Sequence, residues 1–300
     1  MGLHYSKNRS HNHCVTPTQK CNIHEILRQE HQQVMQRIVA FSCSISLEDK
    51  NKKKNRYPDA PCFDYNRVVL PFRKGLDDYI NASYVDGHNI KRRFICAQGP
   101  LKETAHDFWR AVYQDRVRVI VMLTKTYENN KQTCYPYWIP YKGFTVTYGK
   151  LKIKTKKIRC FRNYKVTTLR LTNTNTGTVF DIKHFAYKDW PQDGVPSDVK
   201  NFLEFVLAVR RADSEAEVQV SSENRAKKSP ILVHSSAGLD RAPAFCAIDI
   251  CISKYIESAI IPLSTTLCDL RKQRNNCLSL HTQYTFCYFT VLQFVMSTAG

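Results

Sequence analysis

No apolar run in this 300-residue chain approaches the roughly 20 residues that a bilayer-crossing helix needs, so the sequence excludes a membrane-spanning helix. It also lacks a signal peptide, an internal repeat and any zinc-finger spacing. His11, His13, Cys14, Cys21 and His24 stand in a polar stretch without finger order, so no metal and no cofactor is expected. Acidic residues are scarce, 26 against 45 Lys and Arg, giving a formal charge of +19. That balance favours acidic partners, whether phosphoproteins, anionic headgroups or nucleic acid. Cysteine is the one residue type that is not scarce where it might be: there are 12. With no signal peptide, and with Cys246, Cys251 and Cys287 inside apolar helical runs, they read as reduced thiols in a reducing, cytoplasmic setting. An apolar fraction of 43% is enough for one large α/β domain with a full core.

Residues 1–22 read as a basic, flexible tail and 23–300 as the domain. Met1-Gly2-Leu3-His4-Tyr5-Ser6 fits the myristoylation pattern, and Lys7, Arg9 and Lys20 would supply the basic support that a single acyl chain needs at an anionic membrane. A chance glycine at position 2 is the competing reading. Asn22 is placed to cap a helix carrying Ile23, Leu27, Val34 and Ile38 on one face. Residues 50–56 read as a solvated basic stretch, and Asn55 to Asp59 as a loop. Short strands with turns between them are expected over Asp78–Tyr84 and Phe94–Pro100, a helix over His106–Val112, and a buried strand over Val117–Leu123.

From 144 to 186 the alternation predicts an antiparallel meander, with a turn at Asn175-Thr176-Gly177. Its outward side carries Lys150, Lys152, Lys154, Lys156, Lys157, Arg159 and Arg162, read as a solvated face; no aromatic-studded motif marks it as a nucleic-acid site. A helix is expected over Ser197–Arg211 and an exposed polar loop over Ser214–Lys228. Two more helices, near Thr265–Arg274 and Thr282–Met296, close the chain.

The stretch from Pro230 to Arg241 organises the rest. Ile231, Leu232 and Val233 form a run of strand length, and Ala244, Phe245, Ile248, Cys251, Ile252 and Tyr255 then recur at helical spacing. Pro243 marks a helix start, since proline there gives up an N–H that has no intrahelical partner. The intervening loop of Ser236, Ala237, Gly238, Leu239 and Asp240 is an anion cradle, and Arg241 adds a planar fork for two phosphate oxygens. Taken alone, this fragment is equally an ordinary turn with a surface arginine.

Seven fragments in order remove that ambiguity: Asn55-Arg56-Tyr57, Asp78 to Ser83, Gln98-Gly99-Pro100, Asp107-Phe108-Trp109, Trp190 to Pro196, His234 to Arg241 and Gln283 to Tyr288. Together they resemble the tyrosine-specific protein phosphatases, from about residue 23 to the C-terminus. The small size, basic tail and altered sites are most similar to the copies carried by polydnaviruses of parasitoid wasps. The resemblance implies a single phosphatase domain, a twisted mixed central sheet with helices on both faces. It also implies a setting inside an infected host cell and a monomer that meets phosphotyrosyl proteins.

The family's chemistry implies a thiolate nucleophile, a general-acid Asp and a water-placing Gln. Ser235, Gln192 and Ser279 occupy those positions here, while the second Gln of the last motif is kept as Gln283. A hydroxyl stays protonated where a thiol would ionise, and an amide has no proton to give. Asp193, one residue past Gln192, is the candidate substitute. Ala242 replaces a hydroxyl residue that would support a thiolate, and Asp240 replaces a small one. A carboxylate ~6 Å from bound phosphate would oppose it by up to about 3 kcal/mol per charge at an effective dielectric of about 20. By the same resemblance Tyr57 lines the phosphotyrosine slot, Asp59 holds the peptide backbone, Glu128 pairs with Arg241, and Tyr137 steadies His234. Trp190 reads either as a loop hinge or as a core anchor. The expectation is a pseudophosphatase that binds or shields phosphotyrosyl proteins. The alternatives are a weak residual phosphatase and a membrane-associated adaptor with a closed pocket.

Overall fold

The computed structural model describes residues 22–37, 39–71, 75–191, 193–221 and 228–298. The expectations placed on residues 1–21, Gly2 included, and on Ile38 and Gln192 therefore lie outside the described residues. Asn22 does cap the first helix, α1 (Ile23–Met35): its side-chain oxygen accepts from the His24 N–H at 3.1 Å. Leu27 and Val34 of α1 are buried, whereas Ile23 is 37% exposed and falls off the apolar stripe.

Two single-turn helices follow, α2 (Ser44–Leu47) and α3 (Asp49–Lys52), and then β1 (Arg67–Val69), β2 (Tyr79–Val85), β3 (Phe94–Gln98), α4 (Ala105–Gln114) and β4 (Val119–Met122). The short hairpin β5 (Tyr127–Glu128) and β6 (Lys131–Gln132) leads to the meander β7 (Thr145–Tyr148), β8 (Leu151–Cys160), β9 (Tyr164–Asn173) and β10 (Val179–Tyr187). After α5 (Val199–Ser221) come β11 (Ile231–Ser235), α6 (Arg241–Ser258), α7 (Leu263–Gln273) and α8 (His281–Thr298). Nine strands form one mixed sheet in the order β1-β2-β3-β11-β4-β10-β9-β8-β7. The strands flanking β11 on both sides run parallel to it, as does β10 to β4; the outer pairs are antiparallel.

Alternation along the central strands divides the core. Ile231 and Val233 of β11 face a layer of α1 and α5 to α8, while Leu232 faces α4 and the Leu151–Ile153 side of the meander. Parallel strands covered on both faces are apolar throughout, and β11 and β4 are buried at every position. Helices on both faces of a mixed sheet are the architecture the sequence led us to expect. No helix among the described residues is long and apolar enough to cross a membrane.

Two local expectations are overturned. Residues 214–221 of the expected Ser214–Lys228 loop are helical, since α5 continues to Ser221 and Ser-Glu-Ala-Glu-Val-Gln contains good helix formers and neither glycine nor proline; 222–227 lie outside the described residues. Tertiary charge pairs hold this end down, Asp213 receiving Arg93 at 2.7 Å and Lys228 at 3.5 Å. Residues 50–56 are not simply solvated either. Asn51 is fully buried, and the Lys54 ammonium sits between Asp77 and Asp107 at 3.1 and 3.2 Å, where paired carboxylates offset its loss of water.

Candidate phosphate-binding site

The loop between β11 and α6 opens at the carboxyl end of the parallel strands, where open α/β sheets place their ligand crevices. Its conformation is dictated from beneath. Gly238 has φ +70°, and a Cβ there would stand 2.3 Å from the Ala97 carbonyl oxygen of β3, so no other residue fits. The loop's carbonyls are held away from the crevice. Ser236 O accepts the Gly99 N–H at 3.1 Å, and Leu239 O the Leu278 N–H at 2.8 Å. The guanidinium of Arg274, fully buried just past the end of α7, donates to Ala237 O at 3.2 Å and Gly238 O at 3.1 Å. Turning carbonyls outward aims the loop's N–H groups inward, toward the N-terminus of the 18-residue α6.

Ser235 stands at the bottom, 3% exposed, and its hydroxyl oxygen accepts the Gly238 N–H at 3.2 Å. Arg241 is buried on the wall. Its Nη1 and Nη2 donate to the two carboxylate oxygens of Glu128 at 2.8 and 3.0 Å, and Nη1 also donates to Leu123 O at 3.0 Å. Burial pushes the Glu128 carboxyl up, but hydrogen bonds from Arg241 and from the Lys125 N–H outweigh it and hold the group below the usual carboxylate range. Asp240 has the opposite fate. Burial raises its carboxyl above the ordinary value although Arg241 and the Ser279 N–H draw it down, and its Oδ1 has no hydrogen-bond partner among the described residues.

These groups share one cavity of about 360 Å³. Ser235, Ser236, Ala237, Leu239, Asp240 and Arg241 form its floor and far wall; Tyr57, Asp59, Glu128 and Gln283 also line it. Gly238 stays beneath, committed to β3. Tyr57, 39% exposed at the mouth, shares a 2.9 Å hydrogen bond between its hydroxyl and that of Ser236. Asp193 also lines the cavity, so this neighbour of the general-acid position faces the loop. Ser279 is exposed and outside that lining, its N–H directed to Asp240.

Behind the site, the Tyr137 hydroxyl lies 2.7 Å from Nε2 of both His234 and His184. Burial pushes the His184 imidazole down to about 3 and His234 well below its ordinary value, so both rings are neutral. One imidazole therefore donates to the phenol oxygen and the other accepts from it. This commits His234 Nε2 to Tyr137 rather than to Ser235. Trp190 is a core anchor: 3% exposed, it packs on Phe202 and Phe286, and its indole N–H donates to Gly194 O at 3.1 Å, pinning the loop that carries Asp193. Among the described residues no group of three or more His, Cys, Asp or Glu is arranged to hold a metal ion.

Sequence reasoning passed over two arginines that build the site without lining it. Arg274 entered only as the last residue of the helix expected near Thr265–Arg274. Arg56, read as the end of the solvated basic stretch and as part of a motif fragment, donates to Gln132 O, Gly99 O and Pro100 O and so ties the Tyr57 loop to the end of β3. Only an apolar residue count around Arg274, with Leu270, Cys277 and Leu278 as neighbours in sequence, hinted at its burial.

Residues 51–293 match the family model described as protein-tyrosine phosphatase. The chain is 80% identical over 298 residues to tyrosine phosphatase-like protein J1 of Microplitis demolitor bracovirus, covering 99% of each. It is 40% identical to tyrosine phosphatase H2 of the same virus, over 94% of this chain and 87% of that one. The catalytic domain of human protein tyrosine phosphatase non-receptor type 18 superposes with a TM-score of 0.79 at 28% identity, covering 90% of this chain and 96% of that one. The likeness to polydnavirus copies is thus met at high identity, and the chain belongs to the protein-tyrosine phosphatase family.

Proposed function

We propose that this chain is a pseudophosphatase that captures phosphotyrosyl proteins and withholds them from turnover. The observation that carries the reading is Ser235 at the floor of an otherwise assembled anion cradle, its hydroxyl accepting an N–H where a nucleophile must lose a proton. Among the groups that could take its proton, His234 is engaged by Tyr137 and Glu128 by Arg241; Asp59, Asp193 and Asp240 line the same cavity, and none of them hydrogen-bonds the Ser235 hydroxyl among the described residues. A hydroxyl without a general base is a poor nucleophile. The Arg241 fork, the inward N–H groups and the Tyr57 wall still suit a dianionic aryl ester. Likeness to a bracovirus protein supports action inside a host cell, on phosphoproteins of its signalling pathways.

Titration calorimetry with a phosphotyrosyl peptide tests this. Micromolar binding that disappears in Arg241→Ala, with no phosphate released, is the expected result; absence of heat with the folded protein overturns it. One observation favours a second reading, a slow residual phosphatase: Asp193 lines the cavity. Phosphate release from an aryl phosphate that is lost in both Arg241→Ala and Asp193→Asn would establish that reading instead.

A further inference from the structure

The meander reaches beyond the helical layer, and the face it leaves open is basic. On the α5 side of the sheet, a groove of about 300 Å³ runs between β8, β9, β10 and α5. Val166, Phe185, Ala208 and Ala212 make its floor apolar. Four cations from three elements rim it: Lys157 and Arg159 of β8, Lys183 of β10 and Arg211 of α5. None of the four has an acidic partner among the described residues. Glu215 is the one acid in the lining; Asp213 and Glu217 of the same helix turn instead to Arg93 and Lys228. A bulge between Thr155 and Lys157 is what brings Lys157 and Arg159 onto this side, opposite Thr168 and Val166. At the groove's end Phe161 stacks on Tyr164, with centroids 4.6 Å apart and planes 12° from parallel. Phe161 remains 44% exposed.

The edge of β8 beside this groove is open as well. Its outer neighbour β7 stops pairing at Lys154, and beyond the Thr155 bonds to Gly143 and Phe144 the outer edge of residues 156–160 carries no strand among the described residues. An extended chain can add to such an edge through main-chain hydrogen bonds while alternate side chains enter a flanking pocket.

The geometry points to a docking site for an acidic peptide segment of a partner protein, which lays an apolar or aromatic side chain on the Ala208–Ala212 floor and its carboxylates against Lys157, Arg159, Lys183 and Arg211. A flat membrane surface would meet the cationic rim alone, whereas an acidic peptide matches both the apolar floor and the rim. The site would give the protein a second hold on its partner, separate from the phosphate loop.

Fluorescence anisotropy with the full chain and a fluorescein-labelled oligoglutamate peptide bearing one central phenylalanine tests the site without any phosphate. Lys157→Glu and Arg211→Glu should each weaken binding about tenfold or more, because each replaces attraction by repulsion at the contact. Lys102→Glu, an equal charge change on an exposed residue outside the groove lining, should have little effect. Ala208→Phe, which fills the floor without altering charge, should weaken binding comparably to the reversals. Should it fail to fold by circular dichroism, Lys157→Gln with Arg211→Gln takes its place. If Lys102→Glu weakens the peptide as much as Lys157→Glu, net charge alone is at work and the site is overturned. It is equally overturned if the reversals abolish binding to phosphatidylserine vesicles and leave the peptide untouched.

Discussion

Arg241 and Glu128 meet through two parallel hydrogen bonds of 2.8 and 3.0 Å in a setting where both side chains are less than a tenth exposed. Such a pair costs water on both sides and is recovered only by good geometry; removing one partner leaves a buried charge alone. Glu128→Ala should therefore destabilise the fold by about 3 kcal/mol and also weaken phosphopeptide binding, since the guanidinium loses its orientation. Denaturant titration beside calorimetry would check it. The sign of the pH dependence follows from the lowered Glu128 carboxyl: its contribution is present above the ordinary carboxylate value and is lost as pH falls through the lower folded value.

Gly238→Ala should be among the most damaging single changes in the chain. A positive φ disfavours any Cβ by about 1 kcal/mol or more, and here the added atom would also meet the Ala97 carbonyl. Either β3 moves or the loop does. We expect a stability loss of at least about 2 kcal/mol and no measurable phosphopeptide binding.

Arg274 is a further test of how the cradle is supported. Its buried guanidinium donates to Ala237 O, Gly238 O, the Asn81 side-chain oxygen at 2.7 Å and the Cys62 sulfur at 2.8 Å. Arg274→Met leaves several of these acceptors unpaired, each costing about 1–3 kcal/mol, and frees the loop carbonyls to turn inward against a phosphate. Arg274→Lys should not rescue binding, because an ammonium cannot span the fork. Equal affinity in wild type and Arg274→Lys would refute this role.

Much of the frame was legible because periodicity reports burial. The alternating Leu151-Lys152-Ile153-Lys154 and the continuous Ile231-Leu232-Val233 differ in exactly the way that a one-sided and a two-sided strand must. Motif order grouped Tyr57, Arg241 and Gln283, and the family resemblance added Glu128; all four line one crevice despite their separation along the chain. Charged residues that the fold buries were not legible. Lys54 and Arg274 look like surface cations until the partners appear, and those partners, Asp77, Asp107, Asn81 and two loop carbonyls, come from distant segments. The extension of α5 was only partly legible: Ser214 to Gln219 holds good helix formers without glycine or proline, but the pairs of Asp213 and Glu217 with Arg93 and Lys228 lie outside the helix and do not show in its polar composition.

Asp240 should limit affinity for phosphate at neutral pH. Burial raises its carboxyl, so the charged form is disfavoured in the folded chain: the cost is absent below the ordinary carboxylate value and grows as pH rises through the raised one. Asn can still accept the Ser279 N–H, so Asp240→Asn removes the charge and little else. Phosphopeptide affinity should rise by up to about a hundredfold at neutral pH. The advantage should shrink as pH falls through the raised Asp240 value, where the wild-type carboxyl becomes neutral too. Measuring the ratio of the two affinities against pH largely cancels the ligand's own titration, and a flat ratio would remove Asp240 from the account.

Restoring the missing chemistry separates a closed pocket from an open one that lacks reactive groups. In Ser235→Cys the new thiol would sit where the Gly238 N–H now donates, at the α6 N-terminus and near Arg241, surroundings that favour a thiolate. It should therefore be alkylated by iodoacetate below the pH at which an ordinary cysteine reacts. Turnover of an aryl phosphate should remain slow until the leaving group can be protonated. Adding Gln192→Asp should raise it about a hundredfold or more, the usual worth of a positioned general acid. Asp193→Asn in that double variant tells whether the neighbouring carboxylate shares the work. A wild-type chain that already matches the double variant would end the pseudophosphatase reading, since Ser235 and Gln192 would then be sufficient for catalysis.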